Sequence, residues 1–160
     1  MTGDDIMTTA EAHEASALPH ARVVHADPCA DKTVEQQPLP DAIAKKPVAQ
    51  KSPAEWAYER LILYIKNFEE QLDAAHEVAM GFTGAASGVM RIEGIGFFDP
   101  DVVTFYGIDE AGSKAQLVQH VTQLNVMLRA LPRSTPEEEP PRRIGFRLAE
   151  ALAGGDKEDG

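Results

Sequence analysis

Four carboxylates, Asp99, Asp101, Asp109 and Glu110, fall within twelve residues of FFDPDVVTFYGIDEAGSKAQ (97–116). Carboxylates this close can hold a hard cation or divide acid and base roles between them. Asp99 at position one, Asp101 at three and Glu110 at twelve match part of an EF-hand calcium loop. Positions five and six are Val103 and Thr104, where that loop needs an oxygen ligand and a glycine. The interior VVTFYG is β-branched and aromatic and therefore favours an extended chain. Extension separates Asp101 from Glu110 by roughly 27–30 Å at ~3.3 Å per residue. Asp99-Pro100-Asp101 then reads as the turn entering a strand, and Asp109 to Gly112 as the loop leaving it.

Other chemistry-bearing residues are isolated. Cys29 stands in a polar segment without a neighbouring base. His76 reads as a polar residue at a helix-to-strand junction, and His120 as a partly buried structural histidine. No His and Cys spacing resembles a zinc site. Gly94-Ile95-Gly96 lacks the third glycine and the helix of a dinucleotide loop, and Gly84 and Gly88 are not followed by Gly-Lys-Ser/Thr. The residues offer no catalytic, metal or cofactor site, and an enzyme is unsupported. A ligand site near Gly94 and Gly96 would require a concave pocket with converging polar groups.

The elements that would position these residues occupy the middle of the chain. Of 160 residues carrying a formal charge of −11, segments 1–52, 53–131 and 132–160 hold −3, −6 and −2. Nucleic acid is disfavoured as a partner, because phosphate binding needs clustered Lys and Arg. The N-terminus has acids where a signal peptide carries bases, and no apolar run approaches the ~20 residues of a membrane span. With a single cysteine, the expected setting is the cytoplasm, away from membranes.

Residues 1–52 are polar and aperiodic and are expected to be a disordered arm. Ser52-Pro53-Ala54-Glu55 is a capping box with proline at the first helical position. Ala57, Leu61, Tyr64, Phe68, Leu72 and Ala75 then form a helical stripe, widened by Trp56, Ile62 and Ile65, with Leu63 on the opposite side. So apolar a helix calls for a second partner besides its own sheet. Val78, Met80 and Phe82 alternate as a strand, TGAASG (83–88) is a turn, and VMRIEGIGFF (89–98) is a second strand. In that strand Gly94 and Gly96 follow Met90 and Ile92 on one face, where a backbone or an aromatic ring could approach. VVTFYGI (102–108) is the third strand.

Ser113 to Gln116 looks like another capping box, and Leu117, Val121, Leu124, Leu128 and Leu131 continue at helical steps to Pro132. A rival reading makes 115–128 a strand, because Val118, His120, Thr122, Leu124, Val126 and Leu128 alternate. The helix is preferred on its cap and its Gln, Leu, Met and Arg content. The expected fold is thus α+β: a two-layer α-β-β-β-α domain over 53–131 with a three-stranded antiparallel meander. A Pro/Glu-rich linker (132–141) leads to a short returning element at 142–152, either a fourth strand at 142–148 or a helix. Residues 153–160 are expected to be a disordered tail.

The strings WAYERLILYIKNFEEQLD, GVMRIEGIGFFDPDVVTFYG and QLVQHVTQLNVML resemble a family of small bacterial proteins catalogued as a domain of unknown function. That resemblance implies a recurrent domain and no particular activity. The helix, three strands, helix order is similar to the double-stranded-RNA-binding domain, although Lys114 alone stands for its basic motif. If the second helix is instead strand, the chain resembles the Sm-like fold of the Hfq RNA chaperone. His120 would then take the place of the His near its RNA pore.

The leading expectation is a non-enzymatic interaction module that oligomerises through its apolar first helix and binds a protein partner through its sheet or that helix. The candidate interaction residues are Trp56, Leu63, Tyr64, Lys114 and His120. RNA binding of the Sm-like or double-stranded-RNA type is the alternative.

Overall fold

A computed structural model describes residues 20–82, 88–134, 136 and 138–154. The expected turn at 83–87, most of the tail and the first nineteen residues of the arm lie outside them. The chain divides into two compact units, Met1–Lys51 and Ser52–Gly160. In the first, 3-10 turns at Val34–Gln36 and Val48–Gln50 flank one helical turn, α1 (Asp41–Ala44). Ile43 on that turn is buried, and its carbonyl accepts from the Lys51 ammonium at 2.5 Å.

The second unit opens with α2 (Pro53–Glu70). Its start follows from the cap: the Ser52 hydroxyl accepts from the Glu55 N–H at 3.0 Å, and Pro53 needs no partner there. Ala54, Ala57, Leu61, Ile65 and Phe68 line the face packed on the sheet. Tyr64, expected in that stripe, is 39% exposed, while Ile65 one residue on is buried.

Five strands follow: β1 (His76–Phe82), β2 (Val89–Phe98), β3 (Val102–Asp109), β4 (Lys114–His120) and β5 (Val126–Pro132). They form one antiparallel sheet in the order β4-β3-β2-β1-β5. Strands β1 to β4 make a meander, and β5 returns to pair with β1 along its whole length, from His76↔Pro132 to Phe82↔Val126. The core lies between α2 and this sheet, around Val78, Met80, Met90, Ile92, Ile95, Val103 and Phe105. Phe82 meets Phe105 edge-on at 5.0 Å, and Tyr58 of α2 lies 4.9 Å from Phe97.

The fold is therefore α+β with an antiparallel meander, but the expected second helix is absent. Residues 114–120 and 126–132 are strands, joined through a 3-10 turn at Val121–Gln123. Ser113 does not cap a helix: its N–H donates to Asp109 Oδ1 at 2.9 Å, and its carbonyl accepts from the Asp109 N–H at 2.9 Å. Helix propensities differ by only a few tenths of a kcal/mol per residue, whereas an uncovered β1 or β3 would leave a row of unpaired N–H and C=O groups. The spacing misleads because four of the five residues of that helical stripe reach the core by another route. Leu117 points inward from β4, Val121 and Leu124 from the turn, and Val126 and Leu128 from β5. The helix, three strands, helix order behind the likeness to the double-stranded-RNA-binding domain is accordingly not that of this chain, which runs helix, five strands, helix.

Two further expectations change. The register of β2 shifts between Ile92 and Gly94, a bulge at Glu93. Ile95 and Phe97 thereby join Met90 and Ile92 on the core face, and Gly94 and Gly96 move to the other face. There they do admit an aromatic ring: a Cβ on Gly94 would lie 3.7 Å from the Tyr106 ring. The returning element is not a fourth strand but a helix, α3 (Ile144–Gly154), and it packs on α2. It supplies the second partner that the apolar surface of α2 called for.

Candidate functional site

The carboxylates Asp99, Asp101, Asp109 and Glu110 sit in two turns at opposite ends of β3. Asp109 Oδ1 accepts from the N–H groups of Ala111 and Ser113, both at 2.9 Å, and Gly112 with φ +86° completes that turn. At the other end, the Ser52 hydroxyl donates to Asp99 Oδ1 at 2.5 Å, and the Ala54 N–H donates to the Pro100 carbonyl at 3.0 Å. The start of α2 is thus tied to the β2–β3 turn. Among the described residues, no group of three or more His, Cys, Asp and Glu is placed to hold a metal ion.

One juxtaposition was not legible from the spacing. Asp101 and His120, nineteen residues apart, meet with His120 Nε2 3.1 Å from Asp101 Oδ2. His120 Nδ1 lies 2.7 Å from Thr122 Oγ1 and accepts from the Thr122 N–H at 3.2 Å. The Val121 N–H donates to the Asp101 carbonyl at 2.7 Å. A hydroxyl, an imidazole and a carboxylate in line resemble a nucleophile with its base. Nδ1 serves the turn between β4 and β5 and Nε2 ties it to the β2–β3 turn, however, and His120 and Asp101 are each almost half exposed. The arrangement closes the end of the sheet.

The remaining singled-out residues are distributed. Trp56, Leu63 and Tyr64 share a face of α2 with Arg60, whose guanidinium lies over the Trp56 ring at 4.9 Å. Trp56 and Leu63 are half-buried. Lys114 is exposed at the start of β4 and His120 at its end, ~20 Å apart along the strand. Cys29 is exposed, its N–H donating to Asp27 Oδ1 at 2.9 Å. His76 opens β1 rather than closing a helix, with Nδ1 2.7 Å from Asp73 Oδ1.

The polar structure that sequence reasoning missed lies where α3 meets the sheet. Glu77 is buried; Oε1 accepts from the Ser134 N–H at 3.1 Å, and Oε2 from the Arg142 N–H at 2.7 Å. Burial alone would raise its pKa, but these bonds and the Arg91 guanidinium at 3.4 Å outweigh it and hold the carboxyl below its ordinary value. Glu69 is also buried, with Oε1 accepting from the Gly145 N–H at 2.8 Å in the first turn of α3. Burial pushes its pKa up to about 6, against the pull of that N–H and of Arg143. Its other oxygen, Oε2, has no hydrogen-bond partner among the described residues. The only sequence signal for this junction was the alternation of RRIGFRL, which was compatible with either element.

Outside the junction, two concavities adjoin at Glu93. One, of about 350 Å³, is lined by Glu93, Tyr106, Gly107, Lys114, Ala115 and Gln116. The other, of about 520 Å³, is lined by Glu93, the Pro140-Pro141 pair and the arginines at the start of α3.

Residues 47–147 match a family of unknown function, DUF6173. The chain belongs to that family. The match takes in α2, the whole sheet and the first turn of α3, so the DUF6173 unit includes the buried Glu69 and Glu77 junction. No curated protein and no solved structure matches the chain.

Proposed function

We propose that this DUF6173 domain is a cytoplasmic, non-enzymatic interaction module whose copies assemble through the edges of the sheet. One observation carries the reading: β4 and β5 are seven-residue outer strands, and among the described residues no further strand pairs with either. A free edge presents a row of N–H and C=O groups to another strand. Neither strand has a proline before Pro132, and each exposes an apolar side chain, Val118 at 60% and Met127 at 65%. Pairing β4 of one copy with β5 of the next is a head-to-tail contact, which gives a closed ring or an open filament. The same edges, or the Trp56 and Tyr64 face of α2, would receive a protein partner. In sedimentation velocity the full chain should be larger than a monomer at micromolar concentration. Val118→Lys and Met127→Lys should each shift it towards monomer without lowering its thermal midpoint. A monomeric native protein would sink this reading.

RNA binding of the Sm-like type is the second reading. It is favoured because 114–132 is strand, the condition on which that resemblance rested, and because His120 stands at the end of β4. It predicts RNA binding that weakens with salt and on His120→Ala or Lys114→Ala. Absence of a mobility shift with any RNA at low ionic strength would end it.

A further inference from the structure

The start of α3 carries a strongly basic concavity on an acidic protein. Arg142, Arg143 and Arg147 are three of the eight arginines in a chain of net charge −11, and all three line the groove of about 520 Å³ together with Pro140, Pro141 and Glu93. Their roles differ. Arg143 is occupied structurally: Nη1 donates to the His76 carbonyl at 2.7 Å and Nη2 to the Asp73 carbonyl at 3.0 Å. Arg142 is fixed by its backbone N–H on Glu77, while among the described residues its guanidinium reaches Glu93 alone, at 3.4 Å and with both side chains more than 40% exposed. The Arg147 side chain is exposed and makes no hydrogen bond or ion pair among the described residues.

We infer that this groove binds a small phosphate ester, with Arg142 and Arg147 as its ligands. Two guanidiniums in one groove offer forked donors that fit phosphate oxygens. Pro140 and Pro141 also line the groove; they have no N–H to donate and offer apolar ring surface to the body of the ester. The volume lies within the range of roughly 300–1,000 Å³ usual for small-molecule sites. The N-terminus of α3 is not the anion site, because Glu69 already takes the Gly145 N–H. Glu93 is the built-in competitor: it pairs with Arg142 at 3.4 Å, and an entering phosphate replaces it. The groove also differs from the assembly surface, since it involves neither β4 nor β5.

Calorimetric titration of the full chain at low ionic strength with adenosine monophosphate, glucose 6-phosphate and inorganic phosphate tests the site. Both esters should bind, more tightly than inorganic phosphate. Arg147→Ala should weaken them about tenfold or more, the loss of a hydrogen bond to a charged group. Glu93→Gln should tighten them, a gain that damage to the fold would not produce. Unchanged thermal midpoints would establish that both variants are folded. Failure of both esters to bind would overturn the assignment, as would binding indifferent to Arg147→Ala or a preference for a polyglutamate peptide over both esters.

Discussion

The Ser52 hydroxyl works in two directions, accepting from the Glu55 N–H and donating to Asp99 Oδ1. It caps α2 and fastens that cap to the β2–β3 turn. Ser52→Ala should cost about 1–2 kcal/mol in chemical denaturation, the upper part of the range for a helix cap; a loss below ~0.3 kcal/mol would mean that water replaces both bonds. Glu69 supplies a pH-dependent term. Its carboxyl is raised by burial from an ordinary 4.5 to about 6, so the folded state binds the proton more tightly than the unfolded chain. The associated stability is complete below pH 4.5 and is lost as pH rises through about 6, amounting to about 2 kcal/mol. Glu69→Gln keeps an acceptor for Gly145 and removes the titration. Its melting temperature should exceed that of the native protein at pH 7 and converge with it near pH 4.5; parallel profiles would refute this. Glu77 has the opposite sign, since a lowered carboxyl stabilises above its ordinary range and loses that effect as pH falls through the folded value.

At the scale of elements, the α2–α3 crossing depends on the absence of a side chain at Gly145. A Cβ there would lie 2.8 Å from Glu69 Oε1 and 2.8 Å from both Cα and N of Lys66. The carboxylate could move, but the α2 backbone could not, so Gly145→Ala must push the helices apart. The expected cost is about 1–3 kcal/mol, with faster amide exchange over 144–154 than over the strands. Unaltered exchange in α3 would show that the crossing relaxes freely. In β3, Gly107 is closer still, since its Cβ would fall 2.2 Å from the Arg91 carbonyl oxygen. The sequence showed α2 through its cap and stripe, and β1 and β3 through their composition. It did not show the bulge at Glu93, which depends on how β2 pairs with β3.

At the scale of the molecule, salt separates the readings. A chain of net charge −11 repels its own copies, so screening should tighten assembly through the sheet edges. RNA or phosphate-ester binding releases counterions and should weaken with salt. A dimer or ring that dissociates as salt rises would contradict assembly by backbone pairing and apolar contact. The start of α2 at Ser52, the α+β composition and the division of the acidic stretch between two turns were all readable along the chain, because caps, turns and β-branched runs are local physics. Long-range packing makes 114–120 and 126–132 strands, turns Gly94 and Gly96 away from the core, and makes 144–154 the second helix. Those outcomes rest on contacts between residues far apart in the chain: unpaired edges of β1 and β3 that needed partners, and the buried carboxylates Glu69 and Glu77 that anchor the start of α3. Several kcal/mol of pairing and burial outweigh propensities of a few tenths per residue.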